Sequence, residues 1–122
     1  MSRKVLIVDN SKAVRDVIET TLTEAGYDVC SAECGQTALN LVEDKHYDLL
    51  MTDLNMPQMD GLEFISEVRK IPGRRFLPIV VLSSEEKQKR FVDCVKAGAS
   101  GYLEKPLDEE QIRSIMQTII PY

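Results

Sequence analysis

The chain has 122 residues, of which 43% are hydrophobic and 29% are charged, and its formal net charge is −5. This length suits one globular domain that builds a single core without disulfides or structural metals. The acidic balance argues against binding to nucleic acid or to an anionic membrane. No apolar run approaches the ~20 residues of a membrane-spanning helix, and the first is too short for a signal peptide, so we expect a cytoplasmic protein.

Five apolar, strand-like runs alternate with five helical patterns along the chain. Most of these runs are nearly continuous in apolar residues, which is typical of strands covered on both faces. In chain order the pairs are strand 5–8 and helix 11–25, strand 27–32 and helix 35–44, strand 48–52 and helix 61–70, strand 77–82 and helix 85–97, and strand 101–103 and helix 108–120. This alternation predicts an α/β fold with a doubly wound, parallel (βα)5 sheet, and one domain over residues 1–122.

Residues suited to helix ends flank several of the predicted helices. Ser11 is a plausible N-cap of the first helix, and Gly26 closes it. Gly98 ends the fourth helix, and Asp108 caps the fifth. Ser and Asp side chains accept hydrogen bonds from the free N–H groups of a first turn, whereas glycine tolerates the left-handed backbone that ends many helices.

Polar residues stand at the ends of four of the five predicted strands. Ligands of doubly wound sheets bind beyond the carboxyl ends of the strands, so these residues are predicted to share one site. The groups are Asp9-Asn10 after the first strand, Asp53 and Asn55-Met56-Pro57 after the third, Ser83-Ser84 after the fourth, and Lys105-Pro106 after the fifth.

The side-chain types at these ends favour phosphoryl chemistry. Two facing carboxylates repel by roughly 4 kcal/mol at ~4 Å and an effective dielectric constant of ~20, so Asp9 and Asp53 persist together if a cation lies between them. Oxygen ligands suit Mg²⁺, especially beside a phosphate. Lys105 can balance charge and contact a phosphoryl group. An aspartate next to Mg²⁺ can act as the nucleophile that accepts the phosphoryl group.

These residues lie in motifs that resemble the receiver domain of two-component response regulators, the CheY-like family, over essentially the whole chain. The motifs are LIVDN at 6–10, DLNMPQMDG at 53–61, VLSS at 81–84 and KAGASGYLEKP at 96–106. The resemblance implies a flavodoxin-like sheet of order 2-1-3-4-5 and a phosphoacceptor role in phosphorelay signalling. It also implies Mg²⁺ as cofactor and a sensor histidine kinase as the phosphoryl donor.

The resemblance also assigns roles around the metal and the phosphoacceptor. It implies that Asp53 accepts the phosphoryl group. Asp9, Asp53 and the backbone carbonyl of Asn55 would hold the Mg²⁺ ion. The side chains of Asn55 and Glu85 would tune autodephosphorylation, so the chain would promote loss of its own phosphoryl group without being a conventional enzyme.

A second set of residues would respond to phosphorylation. The resemblance implies that Ser83, Lys105 and the backbone of Ser84 contact the phosphoryl group. Ser83 and Tyr102 would be the switch residues, and the surface from helix 4 through strand 5 to helix 5 would change for partner binding. The alternative interpretation of Tyr102 is an aromatic residue at the rim of the site without a switch role. The peptide bond between Lys105 and Pro106 is often cis in the family.

Asn10 departs from the family pattern. Receiver domains usually carry a second acid here, which ligates Mg²⁺ directly, whereas this chain has a neutral amide. The amide oxygen remains a doubtful ligand. We therefore predict weaker Mg²⁺ affinity, and less charge repulsion at a phosphorylated Asp53 when no metal is present.

Other functions remain open at this stage. A pseudo-receiver would share the fold as a binding module without phosphorylation, and Asn10 is its only support. A flavin- or nucleotide-binding enzyme would need a phosphate-binding loop after the first strand, and DNSKA at 9–13 lacks glycine. The chain would act alone or be a receiver cut from a larger regulator or hybrid kinase. Its downstream protein target is unknown, and it would be a monomer or a weak, phosphorylation-dependent dimer.

Two further features have plain interpretations. The three cysteines, Cys30, Cys34 and Cys94, lack a CxxC motif, and His46 is the single histidine. Zinc takes about four nitrogen or sulfur ligands, so we interpret the cysteines as reduced packing residues. The short basic pair Arg74-Arg75 is interpreted as part of a solvated loop.

Overall fold

The computed structural model describes residues 3–83 and 91–120, which form a five-stranded parallel sheet flanked by helices. The strand order is β2-β1-β3-β4-β5, as the resemblance implied. The strands are β1 (Lys4–Val8), β2 (Asp28–Ala32), β3 (Leu49–Asp53), β4 (Ile79–Ser83) and β5 (Gly101–Glu104). The helices are α1 (Lys12–Glu24), α2 (Gly35–Asp44), α3 (Gly61–Lys70), α4 (Phe91–Ala97) and α5 (Glu109–Ile119).

Every strand pair is parallel, so the carboxyl ends of the strands meet at one edge of the sheet. Val8 pairs with Thr52, which places the end of β1 beside the end of β3. Asp53 pairs with Leu82, and Ser83 pairs with Glu104. This register brings the residues at the four strand ends to the same edge.

The sheet is buried on both faces because amphipathic helices cover each of them. Strands β1, β3 and β4 are almost wholly buried, which explains their continuous apolar sequences. One core contains apolar residues of α2, α3 and α4, including Phe64 and Val68. The other contains apolar residues of α1 and α5, including Ile18 and Met116. The predicted doubly wound architecture is confirmed.

The helix ends agree with the predicted caps. Ser11 Oγ accepts a hydrogen bond from Val14 N at 3.3 Å, and Asp108 Oδ1 accepts one from Glu110 N at 2.9 Å. Gly98, which follows α4, has φ +113°, a value that favours glycine. Among the described helices, the longest has 13 residues, and none is long and apolar enough to cross a membrane.

Several predicted boundaries differ from those of the structure. Asp53 and Ser83 are the last residues of their strands rather than the first residues after them. The fourth strand begins at Ile79, and the preceding Pro78 has no N–H to donate to a sheet. Residues 85–90 of the predicted fourth helix lie outside the described part of the chain.

The cysteines do not all pack in the core. Cys94 is buried on α4 at 2% exposure, which agrees with the prediction, but Cys30 is exposed on the edge strand β2. Cys34 is partly buried, and a hydrogen bond with Thr37 lowers the pKa of its thiol. All three are free thiols. The packing interpretation is therefore wrong for Cys30, because β2 is an edge strand that is largely exposed from Asp28 to Ser31.

Candidate functional site

The carboxyl edge of the sheet gathers four of the predicted site residues. Asp9 follows β1, Asp53 ends β3, Ser83 ends β4, and Lys105 follows β5. The first three are buried, with exposed fractions of 1%, 7% and 1%. Buried carboxylates need charged or hydrogen-bonding partners. The convergence of two of them at this edge makes it a candidate functional site.

The Lys105 ammonium links the two carboxylates. Its Nζ lies 2.9 Å from Asp9 Oδ2 and 3.4 Å from Asp53 Oδ1. The Lys105 backbone N–H donates to the Ser83 carbonyl at 2.6 Å, which holds the β5 end against β4. The peptide bond between Lys105 and Pro106 is cis, as the resemblance implied.

Asp9 is fixed by its backbone as well as by its side chain. Its N–H donates to the Ala32 carbonyl at 3.2 Å, and its Oδ1 accepts from the Ser11 N–H at 2.8 Å. The Arg15 guanidinium donates to the Asp9 carbonyl at 2.7 Å. Sequence reasoning missed Arg15, because its partner is a backbone carbonyl, which has no signature in the sequence.

Asp53 is positioned by the close approach of α3 to the end of β3. A Cβ on Gly61 would lie 2.5 Å from the Asp53 carbonyl oxygen and 2.7 Å from Leu54 Cα. The Gly61 N–H donates to the Leu54 carbonyl at 2.9 Å. Only glycine permits this backbone contact, which gives the glycine of the DLNMPQMDG motif a structural reason.

Burial raises the pKa of the Asp53 carboxyl, and the neighbouring charge of Asp9 raises it further. Lys105 and a hydrogen bond from the Asn55 backbone N–H act in the opposite direction without reversing the result. A carboxyl group held in this way is a candidate functional group because desolvation and one specific charged neighbour explain its shift.

The remaining predicted residues lie around this centre. Asn10 and Asn55 are exposed beside Asp9 and Asp53 in the chain. Tyr102 is half-buried and lines a surface groove of about 420 Å³ between β5 and α5. Ser84 and Glu85 lie outside the described residues, so their predicted roles stay predictions.

The oxygen donors at this edge fit a hard cation such as Mg²⁺. Two buried carboxylates already converge on the single positive charge of Lys105, and carboxylate and carbonyl oxygens are the ligands that Mg²⁺ takes. Residues 3–83 and 91–120 contain no cluster of three or more His, Cys, Asp or Glu side chains that could hold a metal. A metal here would therefore depend on backbone carbonyl, amide or water oxygens beside two carboxylates.

Comparison with known proteins assigns the class of this fold and site. Residues 5–117 match the family model of the response regulator receiver domain. The chain therefore belongs to that family and is a CheY-like phosphoacceptor domain of two-component signalling. Receiver domains of this type interact with histidine kinases and with downstream targets. The family match removes the need for a flavin- or nucleotide-binding alternative.

Individual relatives agree with this assignment. The chain is 31% identical over 117 residues to the chemotaxis protein CheY of Pseudomonas aeruginosa, covering 95% of this chain and 94% of that protein. Its structure resembles the chemotaxis response regulator CheY4 of Vibrio cholerae with a TM-score of 0.94 and 34% identity, covering 98% and 100% of the two chains.

A third relative carries a metal. The receiver domain of a sensor histidine kinase from Pseudomonas aeruginosa has a TM-score of 0.90, 29% identity and full coverage of both chains. Its structure has a magnesium ion coordinated in the active site cleft.

Proposed function

We propose that Asp53 is the phosphoacceptor of this receiver domain. The observation that carries the proposal is the buried Asp53 carboxylate at the end of a central strand, 3.4 Å from Lys105 and beside Asp9. An oxygen of this carboxylate would attack phosphorus in the phosphohistidine of a sensor histidine kinase. A new P–O bond forms as the P–N bond breaks, and the histidine leaves with the electron pair of that bond.

Lys105 would support this transfer with its positive charge, and Asp9 would support it by holding Lys105 in position. The Lys105 ammonium neutralises charge that builds up on the phosphoryl oxygens, which is the main task of a protein in such reactions. Asp9 holds that ammonium in place through the 2.9 Å contact. The cognate kinase is expected to present its phosphohistidine at the exposed side of this edge.

Mg²⁺ is the cofactor that this oxygen set suits. Asp9, Asp53 and the carbonyl of Asn55 would hold it, and the neutral amide oxygen of Asn10 would be a weaker fourth ligand. When bound, the ion would neutralise charge on the phosphoryl group. Since Asn10 replaces the usual acid, we expect a weak hold on the metal.

Four residues would respond to phosphorylation, namely Ser83, Ser84, Tyr102 and Lys105. The added negative charge would draw the Ser83 hydroxyl and the Lys105 ammonium toward Asp53. The Tyr102 side chain on β5 would then reorient. This movement would alter the α4–β5–α5 surface that a downstream protein contacts. Asn55 and Glu85 would tune the rate of autodephosphorylation, so that the domain acts as a timed switch and not as a conventional enzyme.

Mass spectrometry of the intact protein tests the proposal. After incubation with acetyl phosphate and Mg²⁺, the wild type is expected to gain one phosphoryl group, whereas Asp53→Asn gains none. Asp16→Asn is the matched control because Asp16 is an exposed carboxylate on α1, paired with Lys12. It should gain mass like the wild type. Failure of the wild type to gain mass, under conditions that label another receiver, would indicate a pseudo-receiver.

A further inference from the structure

An exposed aromatic residue marks the edge of the sheet opposite the phosphoacceptor site. Phe76 is 87% exposed in the loop 71–78, which leads into the amino end of β4. The Arg75 guanidinium carbon lies 5.6 Å from the centre of the Phe76 ring. A phenylalanine this exposed contributes nothing to the core, and its ring and the Arg75 guanidinium together form an exposed aromatic and cationic pair.

This loop is braced on both sides by arginine side chains. Arg69 on α3 donates to the Arg74 carbonyl at 2.9 Å and to the Leu77 carbonyl at 2.6 Å. Arg74 donates to the carbonyls of Val42 and Lys45 at the end of α2, at 2.9 and 3.2 Å. The predicted solvated loop is confirmed, since Gly73, Arg75 and Phe76 are exposed, but the Arg74 side chain is partly buried and hydrogen-bonded to α2.

Bracing matters for binding because a fixed loop loses little conformational freedom when a partner docks. The loop presents Phe76 and Arg75 at the surface of a groove of about 400 Å³. The walls of the groove come from the loop before β3 and the loop before β4 and consist of His46, Tyr47, Asp48, Gly73, Arg74, Arg75, Phe76, Leu77 and Pro78. A preformed aromatic and arginine pair has the composition of a binding hot spot.

The groove is cationic although the whole chain is acidic. Two guanidinium groups, those of Arg74 and Arg75, line it together with a single carboxylate, that of Asp48. The Arg74 guanidinium already donates to backbone carbonyls of α2, so Arg75 supplies the guanidinium group that a partner can contact. Asp48 is already engaged, because Oδ2 accepts from the Lys4 backbone N–H at 2.7 Å and Oδ1 lies 3.5 Å from His46 Nε2. The net charge of the chain is −5, so the groove differs in sign of charge from the chain as a whole.

We propose that this groove, with Phe76 and Arg75, is a docking surface for an acidic segment of another protein. An apolar side chain of that segment would rest on the Phe76 ring, and flanking carboxylates would pair with the Arg75 guanidinium. Two guanidinium groups on a chain of charge −5 are too few for nucleic acid. The carboxylates Asp16, Glu19 and Glu24 lie together on α1. Pairing of the groove with this acidic surface of a second copy would be head-to-tail, an arrangement that closes only for particular rotations.

Fluorescence anisotropy with a designed probe tests this surface. The probe is a fluorescein-labelled peptide in which one leucine is flanked by glutamates, and the comparison peptide has lysines in place of the glutamates. The wild type is expected to bind the glutamate peptide about tenfold more tightly than the lysine peptide. Phe76→Ala and Arg75→Glu should each weaken binding about tenfold.

A matched control separates the surface from general electrostatics. Arg113→Glu makes the same charge change on α5, at an arginine side chain that is 50% exposed, and should keep binding within about twofold of the wild type. Equal losses in Arg113→Glu and Arg75→Glu, or no binding of the glutamate peptide, would overturn the proposal. Sedimentation velocity supplies a second check. Self-association of the wild type that Phe76→Ala abolishes would assign the groove to a second copy and also overturn it.

Discussion

At the scale of single residues, Asp53 carries a charge in a place that disfavours it. The carboxyl is buried and lies beside Asp9, and both conditions raise its pKa. Lys105 offsets part of this cost at 3.4 Å. Keeping this carboxylate ionised therefore costs folding free energy. Such a cost is common for carboxylates that take part in catalysis or binding.

This pKa has a consequence for stability that can be measured without any metal. Because the folded state holds the Asp53 proton more tightly than the unfolded state, the free energy of unfolding falls as the pH rises through the raised pKa. Asp53→Asn removes that loss. The variant should therefore be more stable than the wild type near neutral pH, with the difference shrinking toward acid.

Urea unfolding in EDTA, from about pH 4 to about pH 7, measures this difference. Asp16→Asn again serves as control, since its exposed carboxylate should change stability little at any pH. A difference between Asp53→Asn and the wild type that stays constant, or that grows toward acid, would contradict the assigned environment of Asp53.

Asn10 is the second residue whose chemistry can be tested directly. Asn10→Asp restores a carboxylate beside Asp9, and we expect Mg²⁺ to bind about tenfold more tightly, equivalent to ~1.4 kcal/mol. Isothermal titration of Mg²⁺ provides the measurement. Asn40→Asp is the matched control because it adds the same charge at an exposed position on α2. Equal affinities in the wild type and Asn10→Asp would refute the predicted role of this position.

At the scale of secondary-structure elements, the contact between α3 and the end of β3 positions Asp53, the proposed phosphoacceptor. Gly61→Ala would put a methyl group against the backbone of Asp53 and Leu54, which cannot move aside as a side chain can. We expect a loss of about 1–3 kcal/mol in the free energy of unfolding and slower labelling by acetyl phosphate.

Gly73→Ala separates the two effects of Gly61→Ala. Gly73 has φ +84°, but a Cβ there would meet no atom within 4 Å. This control should lose stability through backbone strain while keeping the labelling rate of the wild type. Unchanged labelling in a folded Gly61→Ala protein would show that the contact does not position Asp53.

Elements with strong local signals could be predicted from the sequence, and those that depend on tertiary contacts could not. Buried strands and the caps at Ser11 and Asp108 follow from periodicity and local hydrogen bonding. The α4 face does not, because Val92 and Val95 are more than half exposed while Cys94 faces the core. Which side of a short helix is covered depends on distant chain segments.

The same distinction holds for the site. The sequence could place four site residues together, namely Asp9, Asp53, Ser83 and Lys105. The carboxyl ends of parallel strands share one edge, and the family resemblance implies the order of the strands. The partners of Arg15 and Arg74 are backbone carbonyls, which have no sequence signature. The backbone carbonyl of any residue type can accept a hydrogen bond, so only the fold reveals these two contacts.

At the scale of the whole molecule, the sheet separates two surfaces with different chemistry. The carboxyl edge carries the buried carboxylates and Lys105, and the amino edge carries the braced Arg75 and Phe76 pair. Phosphorylation would act on the first and on the α4–β5–α5 surface. The second lies on the far side of the sheet and is expected to bind its partner whether or not the domain is phosphorylated.

Trapping the modified residue shows directly whether Asp53 receives the phosphoryl group. The wild type is labelled with acetyl phosphate and Mg²⁺ and then reduced with borohydride, which converts an aspartyl phosphate into homoserine. Peptide mapping by mass spectrometry locates the change. We predict homoserine at position 53 alone. Homoserine at Asp9 or elsewhere, with Asp53 intact in protein that had gained a phosphoryl group, would contradict the assignment.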